Sequence, residues 1–192
     1  KLGLRGVQIG TNIDGVELGD KKLNRFWAKA EALDIPVFVH PAGFVHPRFG
    51  KHLLWNSLGQ PIEEAVAISS LIYEGIMDRH PKLKVCVAHG GGFLPFYTGR
   101  ADRNFYDKPD AYTIKKSPTE YLKGFSYDTA FYNRDMLEFL VQKVGPSNIV
   151  MGADYPIGED KPVAFIKKAK GISKKAQNMI LGGNAVKLLN IR

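Results

Sequence analysis

Three polar side chains that are able to bind a metal or move a proton follow short apolar runs of this sequence. His40 follows the run PVFV, His89 follows VCVA and Asp154 follows VMGA. The carboxyl ends of the strands of a parallel α/β sheet open on one face, and a barrel brings them around a common centre. Two imidazoles and a carboxylate are ligand types for Zn²⁺ or a similar divalent ion, with a further position open to water. The spacing therefore predicts a metal-dependent site at the strand ends.

Three consecutive glycines, Gly90 to Gly92, come directly after His89. Glycine tolerates positive φ and lets the backbone approach a ligand closely, and the start of a following helix favours an anionic group. A tight turn between a strand and a helix also requires glycine, so this run supports the site without defining it.

The elements that must position these residues alternate between strands and helices. Short runs rich in β-branched residues predict strands over 6–10, 36–40, 84–89, 125–129 and 148–154. Apolar residues at helical spacing predict helices over 20–34, 61–79, 134–144 and 162–170, with Ser173 and Asn184 capping or beginning the last helices. On the second helix, the apolar stripe contains residues 62, 65, 66, 69, 72 and 77. This alternation is typical of a parallel sheet built from βαβ units.

The composition is that of an ordinary globular chain. Its 192 residues are 44% hydrophobic and 24% charged, which excludes a disordered, a collagen-like and a disulfide-rich protein. No apolar run approaches the roughly 20 residues of a membrane span, so no membrane partner is expected. The single cysteine, Cys86, cannot form an internal disulfide. Together with the lack of a signal-peptide pattern, this favours a cytoplasmic location.

The net charge of +8 is concentrated near the C-terminus. No acidic residue follows Asp160, whereas the basic residues after it are Lys161, Lys167, Lys168, Lys170, Lys174, Lys175, Lys187 and Arg192. Such a patch is able to attract nucleic acid or an anionic surface. Aromatic residues that would stack on bases do not interleave with these lysines beyond Phe165. We therefore interpret the patch as a solvated helix face and expect no nucleic-acid partner.

Longer motifs carry a family resemblance. The segments VFVHPAG, LIYEGIMDRHPKLK, VCVAHGGGFLPFYTGRADR, IVMGADYP and ILGGNAVKLLNI occur in this order along the chain. Together they resemble the decarboxylase branch of the amidohydrolase superfamily, which includes the aminocarboxymuconate-semialdehyde and hydroxybenzoate decarboxylases. The resemblance implies an α/β fold of the TIM type, a (βα)8 barrel. Residues 1–192 would hold strands four to eight of that barrel in one domain.

The same resemblance implies roles for individual residues. His40 would be the fifth-strand ligand and Asp154 the eighth-strand ligand of one divalent metal ion, expected to be zinc. His89 would be the catalytic histidine of the sixth strand, which activates the metal-bound water or transfers a proton. Arg100 would bind a substrate carboxylate, in many members across a dimer interface, and Trp55 would lie near the substrate. A small carboxylic-acid substrate and a homodimer are therefore expected.

The chain departs from the superfamily pattern in three places. The first three strands and their HxH motif do not occur in the sequence, so we expect an incomplete record of a longer chain rather than a truncated relative with a broken site. Lys108 stands where some members have a second substrate-binding arginine, which keeps the charge but loses the bidentate fork. The first predicted strand ends in VQIGTN, without a lysine that would bridge two metals, which favours a single ion.

Other polar residues give less specific signals. His46 and His52 lie in the loop after the second predicted strand, where they are equally suited to lining a pocket and to facing solvent. Asp128 ends a further strand and is a candidate to orient the sixth-strand histidine. His80 at a helix end and Cys86 within a strand are interpreted as structural.

The resulting hypothesis is a metal-dependent decarboxylase acting on a small carboxylated unsaturated or aromatic acid. Two alternatives remain open. A metal-dependent hydrolase or hydratase would use the same fold and ligands, because these do not choose the reaction. A non-catalytic relative is favoured by the absent HxH motif.

Overall fold

Four parallel strands form the central sheet. The structure is a computed structural model that describes residues 3–44 and 46–191. Its strands are β1 (Val7–Ile9), β2 (Asn12–Ile13), β3 (Val16–Glu17), β4 (Pro36–Val39), β5 (Lys84–Val87) and β6 (Phe125–Tyr127). The sheet has the order β1-β4-β5-β6, and β2 pairs with β3 in a small antiparallel hairpin. The predicted parallel α/β architecture is therefore confirmed.

The helices connect these strands and pack against the sheet. They are α1 (Asn24–Ala32), α2 (Gln60–Tyr73), α3 (Ile76–Arg79), α4 (Leu94–Tyr97), α5 (Gly99–Asp107), α6 (Pro118–Tyr121), α7 (Arg134–Val144), α8 (Pro162–Lys167), α9 (Lys174–Asn178) and α10 (Asn184–Leu188). Two wider turns, Trp55–Gly59 and Met179–Gly183, are π-helical and lead directly into α2 and α10. Ser173 caps α9 as predicted, because its hydroxyl accepts a hydrogen bond from the Ala176 N–H at 3.2 Å.

Aligned valines build the buried face of the sheet. Val37 pairs with Val85, and Val39 pairs with Val87, across β4 and β5. All are buried in one core that also contains Trp27 of α1. Burial of each such side chain stabilises the fold by roughly 1.5 kcal/mol or more, so the alternation along these strands fixes which face meets the helices.

The fifth predicted strand, 148–154, does not form a ladder. Within the described chain it makes a single bridge, between Tyr127 and Ile149. The N–H of Met151 donates instead to the carbonyl of Ile180 at 3.0 Å. The segment lies where a strand would lie. For the Met151 N–H, however, the hydrogen-bond acceptor belongs to the C-terminal helical region and not to a neighbouring strand. The predicted secondary structure of residues 148–154 was therefore wrong, whereas their predicted position beside the sheet was right.

The second predicted helix, 61–79, differs from the prediction in two ways. Gly75 adopts φ +69° and divides it into α2 and α3. The predicted buried stripe was also wrong, because Val66 is 43% exposed. The residues that α2 buries are Glu64, Ala67, Ile68, Leu71 and Ile72. Two apolar stripes run along this helix, and the one that contains a carboxylate faces the core.

The C-terminal region carries the lysines noted above on its surface. The helix predicted over 162–170 ends at Lys167, and every described lysine after Asp160 is exposed, which is the placement of a solvated face. Arg192 lies outside the described residues. Among the helices of residues 3–44 and 46–191, we find none that is long and apolar enough to cross a membrane.

Candidate active site

Backbone hydrogen bonds extend the sheet beyond its strands and bring the predicted site residues to one edge. The N–H groups of His40, Ala88 and Asp128 each donate to a carbonyl of the neighbouring strand, at 3.0, 3.0 and 3.1 Å. His89 follows in the next position of the chain. The parallel register therefore places the carboxyl ends of β4, β5 and β6 side by side, as the sequence predicted.

His40, His89 and Asp154 converge at this edge. One ligand atom of each lies within 4.8 Å of the others. Nε2 of His40 is 3.7 Å from Oδ1 of Asp154, and Nε2 of His89 is 3.8 Å from Oδ2. These separations exceed hydrogen-bond distance, so each carboxylate oxygen faces one imidazole without bonding to it. Such a set of facing donors suits a shared cation.

Both imidazoles are held through Nδ1. His40 Nδ1 lies 2.9 Å from the carbonyl oxygen of Pro41, and His89 Nδ1 is hydrogen-bonded to Oε1 of Glu64. A carbonyl can only accept, so the Nδ1 of His40 carries the proton in this contact. Its Nε2 is then the basic nitrogen and points toward Asp154. The partners at Nδ1 thus direct both Nε2 atoms into the site.

Glu64 is the functional residue that sequence reasoning missed. It lies on the buried face of α2 and is fully buried, where an ionised carboxylate requires a strong partner. His89 is that partner, and Oε2 of Glu64 has no hydrogen-bond partner among the described residues. A signal did exist, since Glu64 stands at helical spacing from Ala67, Ile68 and Leu71. A carboxylate within an apolar stripe indicates either that the buried face of the helix has been assigned wrongly or that the carboxylate has a function.

Burial and charge shift the protonation of this group of residues. Burial raises the pKa of Glu64 to about 7, although the hydrogen bond from His89 opposes the rise. Burial alone would lower the pKa of His89, but the hydrogen bond and charge of Glu64, with the charges of Asp128 and Asp154, raise it above its usual value. The pKa of both groups is therefore raised, that of Glu64 by burial and that of His89 by its hydrogen bond to the Glu64 carboxylate.

Strained backbone surrounds these side chains. His89 and Asp154 adopt φ +48° and +55°. Gly90, Gly91 and Gly92 adopt φ +65°, +81° and +63°, as the three-glycine run predicted. A Cβ atom at Gly92 would lie 2.1 Å from the carbonyl oxygen of Pro61 and 3.1 Å from Oε2 of Glu64. The chain after β5 is therefore pressed against the start of α2, and this contact keeps Glu64 beside His89.

Asp128 supports the site through the backbone rather than through the histidine side chain. Its Oδ1 accepts hydrogen bonds from the N–H groups of Gly90 at 3.3 Å and Ala130 at 3.1 Å. Asp128 is buried, and burial raises the pKa of its carboxyl group. It ties the loop after β5 to the loop after β6, whereas the imidazole of His89 is oriented by Glu64.

A cavity of about 500 Å³ opens beside the convergent residues. His89 and Asp154 are among the residues that line it. Most of its remaining wall is apolar, and the side chains there include Phe93, Phe96, Phe131 and Met136. No lysine or arginine of the described residues lines it. The cavity therefore combines acid–base and metal-binding groups with an apolar surface for a small planar molecule.

The two predicted substrate-binding residues lie outside this cavity in the single chain. Trp55 begins the π-helical turn before α2 and is 40% exposed, and Arg100 is exposed on α5. His46 and His52 are exposed in their loop and do not line the cavity, which decides that open question in favour of solvent. His80 is structural as predicted, because its Nδ1 lies 3.2 Å from Oε2 of Glu31.

Comparison with known proteins agrees with this geometry. The family profile described as "Amidohydrolase" matches residues 1–191. The chain belongs to the amidohydrolase family. This amidohydrolase is 37% identical over 196 residues to a 2-amino-3-carboxymuconate-6-semialdehyde decarboxylase of Dictyostelium discoideum, an alignment that covers 100% of this chain and 55% of the relative. The chain thus spans about half the length of that relative.

Solved structures share the fold of this amidohydrolase. The 5-carboxyvanillate decarboxylase of Sphingomonas paucimobilis matches with a TM-score of 0.91 at 25% identity, over 100% of this chain and 60% of that protein. The 5-carboxyvanillate decarboxylase of Novosphingobium aromaticivorans, complexed with manganese and 4-hydroxy-3-methoxy-5-nitrobenzoic acid, also gives 0.91, at 22% identity over 100% of this chain and 58% of that protein. The arrangement of β4, β5 and β6 is therefore that of a barrel enzyme, seen over part of the barrel.

The donor set of the amidohydrolase fits a divalent ion. Two imidazole nitrogens and a carboxylate are the ligand types found in catalytic sites of Zn²⁺ and of similar ions. Each imidazole presents Nε2 and has Nδ1 engaged by an oxygen acceptor, which is the usual arrangement of metal-binding histidines. His40, His89 and Asp154 are thus equipped to hold or face such an ion.

Proposed function

We propose that this amidohydrolase is a metal-dependent decarboxylase that acts on a small carboxylated unsaturated or aromatic acid. The observation that carries the proposal is the convergence of His40, His89 and Asp154, two of which, His89 and Asp154, line a largely apolar cavity. The names of its relatives, which include decarboxylases of 2-amino-3-carboxymuconate-6-semialdehyde and 5-carboxyvanillate, support the same class of reaction.

We propose that His40 and Asp154 hold one divalent ion. When bound, the ion supplies a Lewis acid that stabilises negative charge on the substrate. Zinc is the expectation from the histidine and carboxylate donors, whereas a relative of the same fold was solved with manganese. Elemental mass spectrometry of the purified protein, followed by reconstitution with Zn²⁺ or Mn²⁺, distinguishes the two. A protein that retains neither ion would contradict the site.

His89 performs the proton transfer in this proposal. With Nδ1 engaged by Glu64, the Nε2 of His89 faces the cavity and Asp154. Nε2–H would give its proton to the substrate carbon that bears the carboxylate. The bond between that carbon and the carboxylate then breaks, its electron pair returns to the unsaturated system, and CO₂ leaves. His89 regains a proton from solvent, which completes the cycle.

No lysine or arginine of the described cavity wall is available to pair with a substrate carboxylate. We propose that Arg100 supplies such a cation across a homodimer interface and that Trp55 borders the substrate, as the family resemblance implies. Arg100→Ala should then raise KM strongly in a protein whose mass by light scattering is that of a dimer. Arg103→Ala on the same helix is the matched control, because Arg103 is already paired with Asp107. Equal effects of both changes would contradict the role of Arg100.

The activity is tested by CO₂ release from a panel of acids, with water incorporation followed in parallel. His89→Ala should reduce turnover on the order of a hundredfold or more and leave the metal content unchanged, while His46→Ala in the exposed loop should have little effect. CO₂ release supports the decarboxylase. Consumption of an acid with uptake of water instead identifies a hydrolase or hydratase. The lack of both activities in a protein without metal would identify a non-catalytic relative.

We also propose a cytoplasmic location. Cys86 is the only cysteine of the sequence and is buried as a free thiol, so the fold requires no oxidising compartment. Fractionation of the source cells, with the protein detected by antibody, tests this, and recovery from an extracytoplasmic fraction would contradict it.

A further inference from the structure

Tyr132 contacts the candidate metal ligand from a third element of the fold. It lies in the loop after β6 and lines the cavity. Its phenol O–H donates a hydrogen bond to Oδ2 of Asp154 at 3.3 Å. The same oxygen is the one that faces His89, whereas Oδ1 faces His40. A hydrogen bond to Oδ2 therefore restrains rotation of the Asp154 carboxylate, so that Oδ1 stays toward His40 and Oδ2 toward His89.

The backbone on both sides of Tyr132 is tightly held. On one side, Oδ1 of Asp128 accepts from the Ala130 N–H at 3.1 Å. On the other side, Asn133 caps α7 by accepting from the Asp135 N–H at 2.9 Å. Tyr132 itself adopts φ +59°, a region that is uncommon for large side chains and strains the backbone. The surroundings thus fix the backbone from which the half-exposed phenol reaches Asp154.

The chain after Asp154 leaves space for the hydrogen bond between Tyr132 and Asp154. The N–H groups of Ile157 and Gly158 both donate to the Asp154 carbonyl, at 3.0 and 2.9 Å. A Cβ atom at Gly158 would lie 2.7 Å from the Tyr132 hydroxyl oxygen and 2.7 Å from Cβ of Asp154. Only glycine fits at this point, and its absent side chain leaves room for the phenol to reach the carboxylate.

We propose that Tyr132 is a positioning residue for the divalent ion and acts by orienting Asp154. The inference rests on the proposed metal site and adds a residue to it. Carboxylate ligands are commonly held by hydrogen bonds from outer groups, and removal of such a partner lowers metal affinity about 10- to 100-fold. The phenol is the hydrogen-bond donor that the described chain directs at the Asp154 side chain.

The test measures Co²⁺ affinity of the purified protein by competition with a chromogenic chelator, together with the visible absorption of bound Co²⁺. Tyr132→Phe removes only the hydroxyl group. We expect a dissociation constant about 10- to 100-fold higher and a changed Co²⁺ spectrum. Tyr155→Phe is the matched control, because Tyr155 adjoins Asp154 in sequence but is 91% exposed. It should leave both readouts unchanged.

The outcomes separate this inference from the proposal beneath it. If the unchanged protein binds Co²⁺ and Tyr132→Phe binds it equally well, Tyr132 has no positioning role while the metal site stands. If the unchanged protein binds no Co²⁺, the metal site itself is wrong. Should Tyr132→Phe fail to fold, Tyr132→Gly replaces it, since glycine adopts positive φ without strain and has no side-chain donor. Wild-type Co²⁺ affinity in that variant would equally overturn the inference.

Discussion

Gly92→Ala is the substitution whose effect follows most directly from the structure. Gly92 has φ +63°, and a Cβ atom added there would lie 2.1 Å from the carbonyl oxygen of Pro61 and 2.9 Å from its carbonyl carbon. Both are backbone atoms at the start of α2, which cannot rotate away as a side chain can. Accommodation would require the start of α2 to move by about 1 Å or more, and Glu64 would move with it.

The magnitude has two contributions. Gly92 has ψ −132° as well as positive φ, a sparsely populated conformation in which an alanine costs about 1 to 3 kcal/mol, and overpacking of a closely packed contact costs about 1 to 3 kcal/mol. We therefore expect Gly92→Ala to lower the free energy of unfolding by about 3 kcal/mol, which raises the unfolded fraction somewhat more than a hundredfold. A shifted Glu64 also loses its bond to His89, so catalysis should fall even where the protein remains folded.

Urea denaturation, followed by fluorescence of the buried Trp27, measures the stability change. Gly99→Ala is the control, because nothing lies within 4 Å of a Cβ atom at Gly99 and this residue begins α5. There alanine should be neutral or stabilise by up to about 1 kcal/mol. If Gly92→Ala were as stable as the unchanged protein, the close approach of this loop to α2 would be incorrect, and the argument that it positions Glu64 would fall.

Two further predictions concern the C-terminal region and its contact with the sheet. Asn184→Ala should destabilise the protein by about 2 kcal/mol, because the buried amide of Asn184 donates to two backbone carbonyls, both at 2.7 Å. Urea denaturation measures this change. The exposed Asn178 is the control, and Asn178→Ala should change stability by less than about 0.5 kcal/mol. Hydrogen bonds from Lys84 and Asn190 hold the pKa of Asp34 below its usual value. The stabilising effect of the Asp34 carboxylate is therefore present at neutral pH and is lost as the pH falls through its folded-state pKa. Asp34→Asn should then flatten the dependence of the free energy of unfolding on pH below about pH 4. An unchanged dependence would show that the ion pair of Asp34 with Lys84 does not contribute to stability.

The strand ends of the site were predictable because local pattern and topology agree there. Apolar runs ending in His40, His89 and Asp154 point to one edge of any parallel sheet, whatever the packing of the helices. Even the segment before Asp154, which forms no ladder, keeps the position of a strand. Its path is constrained by the single bridge to Tyr127 and by its contact with the C-terminal region.

Glu64 was not predictable from periodicity alone. Helix α2 carries two apolar stripes, and the assumption that charged residues face solvent selects the wrong stripe as the buried one. The choice depends on the partner that the carboxylate meets, His89, which is 25 residues away in the sequence. Arg100 and Trp55 are exposed outside the cavity, so the substrate-binding roles that the resemblance implies for them stay predictions.

Each side chain of the candidate site is held by a different part of the chain. His40 is oriented by the carbonyl of Pro41, His89 by Glu64 on α2, and Asp154 by Tyr132 after β6. His89, Asp154 and Tyr132 all have positive φ, and such strain persists only where the surroundings over-determine the conformation. Three strained residues around one centre, fixed from separate elements, indicate donors that are arranged before a ligand binds. This preorganisation is what an ion-dependent proton transfer requires, because reorganisation during the reaction would consume the binding energy.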